Sequence, residues 1–294
     1  MKKILVPVDF SQHTDITCQY ALEIGAILGG ELRLFHTYFD QIILTDTSFP
    51  DTLDMTSLYN EQLLREIYHQ AEASMSELLE KLQSRVKEKQ IGNVKITTHV
   101  TGGEVEHEFM NIYNEFKPDI VVTGTTGKGN NLNVWGKVST FIIDHVHVPV
   151  FTIPVMKAFR GFENIMFAAD LAEGNRQSLK TLLDLFRPFN NQVHIVHFCN
   201  PAKRTAAESK MMVLQSDFSR EIANDKIHFN LIDIEGENQE TIDQFVKGKG
   251  INMIAFHPHK HSLVYMVFTK NITKKNLFAT NIPLLALPSG KAQK

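Results

Sequence analysis

Apolar residues recur along this chain in two alternating rhythms. Residues 3–9 and 31–38 are short β-type runs, and between them Cys18, Ala21, Leu22 and Leu28 fall at helical spacing with the small Gly25 on the same face. Ser11 is placed to cap that helix, Gly29 and Gly30 to end it. A longer helix is marked by Leu64, Ile67, Ala71, Met75, Leu78, Leu82 and Val86 at steps of three and four, and it leads into a strand at 94–101. Val105, Phe109, Ile112 and Phe116 mark another helix. A strand at 120–123, a helix at 138–146 and a strand at 148–153 complete the series. Strand and helix in strict alternation predict a parallel sheet covered on both faces by right-handed crossovers.

The pattern then repeats. Shifted by 161 residues, the segment 3–36 lies on 164–197 without a gap, with Ile4 on Ile165, Asp9 on Asp170, Leu22 on Leu183 and His36 on His197. The apolar and turn positions coincide as well. A second block repeats at an offset of 133, where Gly103 and Glu104 meet Gly236 and Glu237. The change of offset assigns 28 extra residues to the first half, on the segment from about Gln41 to Asn60 and the helix after it. The fold class expected is α/β, as two doubly wound parallel five-stranded domains, 1–158 and 159–294, meeting in a short charged, glycine-containing stretch near 157–161. The two halves should pack about a pseudo-twofold axis through their fifth strands, around 148–153 and 283–288.

Composition narrows the partners. The chain has 294 residues, 43% of them apolar and 21% charged, in the range of an ordinary globular protein. Its 30 basic and 33 acidic side chains lack the excess of positive charge that a phosphate backbone demands, so nucleic acid is not an expected partner. No run approaches the ~18 apolar residues of a membrane span, and no membrane partner is expected. Cys18 and Cys199 are the only cysteines, too few for a disulfide framework or a four-cysteine zinc site, and free thiols suit the cytoplasm.

Open parallel sheets bind ligands beyond the carboxyl ends of their strands, where strand order reverses. Asp9 ends the first strand and Gly124 the fourth, so the loop 124–129 and the Asp9 carboxylate should converge. Gly136, Lys137, Val138 and Ser139 then open a helix whose free N–H groups suit phosphate. A carboxylate for ribose or base, together with glycines for phosphate, makes a nucleotide pocket. The other reading of the glycines is tight turns alone.

A strand ending Val6-Pro7-Val8-Asp9, a Gly-x-x-Gly loop at 124–127, Gly136-x-Val138-Ser139 and a closing Val148-Pro149-Val150 strand resemble the universal stress protein family. The resemblance runs through the chain twice, as in a tandem member. It implies an adenine nucleotide alpha hydrolase-like fold and a regulatory, ATP-binding role, with or without magnesium. It also implies a nucleotide site of Pro7, Val8, Asp9, Thr123, Gly124, Gly127, Gly136, Lys137, Val138 and Ser139. Asp9 would meet adenosine, Gly124 and Gly127 the ribose and phosphates, and Gly136, Val138 and Ser139 the phosphate tail. Two departures stand out: eight residues rather than nine separate Gly127 from Gly136, and Lys137 occupies the family's Ser or Thr position.

In the second half, His257, Lys260 and Thr269 stand where Gly124, Gly127 and Gly136 stand in the first, so a degenerate nucleotide motif is expected there. The alternating His257, His259 and His261 are weak candidates for a metal, without an acidic or cysteine ligand beside them. His36 and His197 recur at one fold position, which favours a structural hydrogen bond. Between Gly124 and Ser139 there is no carboxylate, histidine or cysteine, so a binding protein is expected rather than an enzyme. The residues leave a second function open, a nucleotide-free interaction scaffold whose inserted segment around Gln41 to Asn60 docks a protein partner. Chains could also pair further as a homodimer of tandem chains.

Overall fold

The structure is a computed structural model that describes residues 1–40, 53–92, 94–125, 137–154, 159, 161–172, 174–233, 239–258 and 282–288, with the main chain alone at 53–60 and 239. It divides into two compact units, Met1–Asp119 and Ile120–Lys294.

The first unit holds β1 (Lys2–Pro7), α1 (Thr14–Leu28), β2 (Gly30–Tyr38), α2 (Leu53–Glu88), β3 (Lys95–Gly102) and α3 (Val105–Phe116). Its strands run parallel in the order β3-β2-β1, with Ile4 beside Leu32 and Leu34 beside Thr98. Side chains that alternate along a strand face opposite ways, and the helices divide accordingly. Gly25 of α1 lies against Ile4 and Leu32 on one face. Phe109 of α3 meets Phe35 on the other with ring centroids 6.2 Å apart, and the Arg33 guanidinium lies 4.2 Å over the Phe116 ring. Helix α2 shares the face of α1, joined to it by the Lys81–Asp15 and Lys89–Glu23 ion pairs. Its buried stripe is Ala71, Met75, Leu78 and Leu82. Helix α1 stops at Gly29, whose φ of 66° is left-handed and whose N–H donates to the Gly25 carbonyl.

The second unit opens with β4 (Ile120–Gly124), α4 (Lys137–His145) and β5 (Val150–Ile153). It continues through β6 (Asn164–Ala168), α5 (Gly174–Phe186) and β7 (Gln192–Cys199). A 3₁₀ turn (Pro201–Lys203), α6 (Arg204–Ser216), α7 (Ser219–Ala223), β8 (Ile227–Asp233), α8 (Gln239–Gly248), β9 (Met253–Phe256) and β10 (Leu284–Ala286) complete it. The strand order is β4-β5-β10-β9-β6-β7-β8. All neighbours are parallel except β5 and β10, where Phe151 lies opposite Leu285 in antiparallel register. The fifth strands of the two repeats thus pair, as the sequence predicts.

That pairing also explains why a compact unit begins at Ile120. Phe151 on β5 packs on Phe162 and on Phe186 of α5, with centroids 5.9 and 6.2 Å away. The last two strands of the first repeat therefore share a sheet and an aromatic core with the second repeat. Sequence repeats and compact units are different divisions of this chain.

The long α2 of 36 residues, against 13 in α6, accounts for part of the extra length of the first repeat. Residues 41–52 of the inserted segment lie outside the described residues, as do 155–158 and 160 near the expected boundary. Strand β5 starts at Val150, two residues later than its pattern predicts, because Pro149 has no N–H for a ladder and offers only its carbonyl, to the Val121 N–H at 3.0 Å.

Candidate functional site

At the carboxyl end of β1 the chain makes a polar turn. The strand stops at Pro7, and although the Val8 N–H still donates to the Phe35 carbonyl at 2.8 Å, Asp9 lies beyond the ladder rather than at its end. Asp9 turns its carboxylate back on the chain instead. Its Oδ1 accepts from the Ser11 N–H at 3.0 Å and from the Thr14 hydroxyl at 3.1 Å. Phe10 between them takes a left-handed φ of 54°. An aspartate that accepts from the N–H two residues on is the usual Asx turn.

This corrects the capping expectation for Ser11. The residue preceding α1 is His13, without a side-chain cap, and it is Asp9 that ties the first helical residue to the strand end. Ser11 contributes by accepting from the His13 N–H through Oγ at 3.3 Å.

One carboxylate oxygen remains. Asp9 Oδ2 is buried and has no hydrogen-bond partner among the described residues. A buried acceptor left unpaired costs roughly 1–3 kcal/mol, so this oxygen suits a ligand N–H or O–H at the place where parallel sheets bind ligands.

The turn is braced from β2. His36 Nδ1 lies 2.7 Å from the Val8 carbonyl, and since a carbonyl only accepts, Nδ1 carries the proton. The His36 ring also packs on Phe10 at 4.3 Å.

The second repeat rebuilds this turn residue for residue. Asp170 Oδ1 accepts from the Ala172 N–H at 3.1 Å, Leu171 has φ 57°, and His197 Nδ1 lies 2.7 Å from the Ala169 carbonyl. Asn175 replaces Thr14 as the side-chain donor to Asp170 Oδ1. The structural hydrogen bond expected of His36 and His197 is therefore present twice.

Beyond the turn the two repeats diverge. In the second repeat the space beside Asp170 and the start of α5 is taken by His257, 7% exposed, at the end of β9. A Cβ placed on Gly174 would come within 2.6 Å of its Nε2, so only glycine admits the ring. Its Nδ1 is 3.2 Å from both the Leu287 carbonyl and the Ser178 hydroxyl, and Ser178 Oγ also reaches the Pro288 carbonyl at 3.4 Å. His257 is thus packed into the fold rather than presented to solvent. His259 and His261 lie outside the described residues.

On the β4 side, Thr123 is buried, with its hydroxyl 3.4 Å from the Gly124 carbonyl, and the Thr125 N–H donates to the Ile153 carbonyl at 3.0 Å. Gly127 and Gly136 lie outside the described residues. Helix α4 begins at Lys137, which is exposed, with Val138 half-buried and Ser139 only 2% exposed. At this helix start Lys137 faces solvent, while the Ser139 side chain is turned into the protein.

The two cysteines are free thiols and buried. Burial, with Asp15 adding to it and Arg85 and Lys81 opposing it, pushes the Cys18 thiol up to about 12. Burial and the hydrogen bond that Cys199 Sγ donates to Asp233 at 3.6 Å raise the Cys199 thiol as well. Sequence reasoning missed Thr14 and Asn175 as partners of the turn aspartates, although both sit at equivalent positions of the 161-residue repeat. It also missed the fit of His257 on Gly174, which no local signal carries. Among the described residues no three metal-ligating side chains cluster, and no helix is long and apolar enough to cross a membrane.

The fold and its turns define a doubly wound α/β protein with an aspartate turn just beyond each of two equivalent strands. A model of the universal stress protein family matches residues 1–154, more than half of the chain, and the chain belongs to that family. Over its whole length it is similar to a universal stress protein from Archaeoglobus fulgidus DSM 4304, with 13% identity, a TM-score of 0.60 and 98% of each chain covered. It is likewise similar to a functionally unknown protein from Pseudomonas aeruginosa PAO1, with 11% identity and a TM-score of 0.59, over 98% of this chain and 93% of that one. A universal stress protein from Lactobacillus plantarum is 19% identical, with a TM-score of 0.41, over 53% of this chain and 97% of that one. For the two neighbours matched over the whole chain the likeness is one of fold. No curated protein matches the chain.

Proposed function

We propose that this chain is a tandem universal stress protein, with repeats at 1–158 and 159–294, that binds ATP or a related adenine nucleotide through its first repeat and acts as a regulatory or sensing module. The observation that supports this reading is the buried, unpartnered Oδ2 of Asp9, held at the end of β1 by a turn that engages only Oδ1. A nucleoside offers the N–H and O–H donors such an oxygen lacks. Contacts are proposed for Pro7, Val8, Asp9, Thr123, Gly124, Gly127, Gly136, Lys137 and Val138. Lys137 serves as the cation for the phosphate tail, with magnesium as a further counter-ion, and Ser139 contributes main chain.

The second repeat serves as a structural partner. Its equivalent of Gly124 is His257, whose ring fills the space over Gly174. Nothing in the first-repeat motif supplies a general base or a metal pair, and the role proposed is binding rather than catalysis, in the cytoplasm, where free thiols persist.

The test is to denature freshly purified, undialysed protein and assay the supernatant for adenine nucleotide, beside an Asp9→Asn variant. Asparagine keeps the oxygen that accepts from Ser11 and Thr14 and replaces Oδ2 by an amide donor. The wild type should release nucleotide and the variant should not. Equal release from both would refute the role given to Asp9.

A further inference from the structure

Far from the Asp170 turn, at the opposite ends of the same strands, a second polar site stands out. β7 and β8 pair in parallel with His194 directly beside His228, and the two rings stack with centroids 5.0 Å apart at 25°. Phe245 of α8 meets His194 edge-on at 6.2 Å. His194 is 5% exposed, yet its Nδ1 has no hydrogen-bond partner among the described residues, and neither has the buried Nε2 of His228. Buried polar atoms are almost always paired. Two adjacent exceptions on stacked rings call for a ligand.

Both rings line a groove of about 860 Å³ at the amino-terminal ends of β6, β7 and β8. That size falls within the ~300–1,000 Å³ of small-molecule sites. Gln192, Asn230 and Lys249 also line it, and Ile222 and Ile227 border it, Ile227 from the face of β8 opposite to His228. The charged groups facing the pair are Lys249, just after α8, and Asp225, just before β8. Asp225 Oδ1 lies 3.7 Å from His228 Nδ1, on the side of that ring away from its unpartnered Nε2. That contact occupies the Nδ1 side and leaves Nε2 as the ring nitrogen without a partner among the described residues.

We propose that this groove binds a small organic anion, its carboxylate or phosphate head set against Lys249 and the His194–His228 pair. The electrostatics agree with the geometry. Burial first, then His228 and Lys249, hold His194 down to about 4, as expected of a ring buried beside positive charge. An anion in the groove relieves that repulsion and favours the protonated form of His194, so binding tightens as pH falls.

The experiment monitors the histidine Cε1–H resonances of the full-length protein in ¹H–¹³C NMR during titration with sodium benzoate, inorganic phosphate, or sodium chloride at matched ionic strength. Benzoate or phosphate should shift the His194 and His228 signals saturably at millimolar concentration. The exposed Lys249→Met change should weaken that binding by about tenfold, the scale of one charge-assisted contact of about 1.4 kcal/mol. The Asp9→Asn variant should respond like the wild type, which separates this site from the nucleotide proposal. No saturable shift from either probe, a shift reproduced by chloride, or a response unchanged in Lys249→Met would overturn the proposal.

Discussion

His36 donates its Nδ1–H to the carbonyl of Val8, 28 residues earlier, at 2.7 Å, and this bond anchors the residue that immediately precedes Asp9. His197 makes the same bond to Ala169, again 28 residues earlier and at 2.7 Å. A feature rebuilt at both repeats, where the surrounding residues are mostly different, belongs to the architecture of the turn. Replacing either histidine by phenylalanine keeps a flat ring but leaves a carbonyl without its donor. Each single variant should lose about 1–2 kcal/mol in urea unfolding. His36→Phe should in addition weaken adenine nucleotide binding, because the Asp9 turn loses its brace. His197→Phe should leave that binding unchanged.

Much of this fold is legible in the sequence because the two periods act separately. Strand runs and helical stripes fall within a few residues of the observed elements, as with the helix through Phe109, Ile112 and Phe116. Errors concentrate where a side chain competes with the ladder. Asp9 reads as the last strand residue, yet its carboxylate captures the Ser11 N–H and the Thr14 hydroxyl and turns the chain away. The His194–His228 stack is not legible, since the two residues become neighbours only through the register of a parallel pair joined by a crossover. The fit of His257 onto Gly174 is tertiary in the same sense.

The close approach of His257 to Gly174 predicts a paired effect. Gly174→Ala should destabilise the protein by about 1–3 kcal/mol, the usual cost of overpacking. His257→Ala in the same chain should recover part of that loss, because the added methyl then enters the space the ring has left. Urea unfolding of the two single variants and the double variant measures the coupling. Strict additivity would show that the contact does not constrain this position.

Acid should weaken the second unit through His194. Its native value of about 4 lies below the ordinary ~6.5 of an unfolded histidine, so between these limits the unfolded chain binds more protons. The stabilisation is fully present above pH ~6.5 and is lost as pH falls toward 4. Between pH 7 and 5 the wild type should lose about 1–2 kcal/mol more than a His194→Phe variant. Equal losses would mean that His194 does not stay neutral in the native state.

Both thiols should be silent in the native protein. With the Cys18 thiol pushed up to about 12 and Cys199 raised as well, little thiolate exists at pH 8 and burial blocks access to it. A chromogenic disulfide reagent should report no reactive thiol before denaturant is added and two afterwards. A rapid native reaction would contradict the burial of these residues.

The assignment of nucleotide to the first repeat rests on Asp9 rather than its counterpart Asp170, and thermal unfolding with and without magnesium ATP separates the two. A ligand that binds only the native state stabilises it by about 2.7 kcal/mol at a hundredfold excess over its Kd. The wild type and an Asp170→Asn variant should both gain in Tm on adding ATP, while Asp9→Asn should gain nothing. A rise that survives in Asp9→Asn and disappears in Asp170→Asn, or no rise in the wild type at millimolar ATP, would contradict the account.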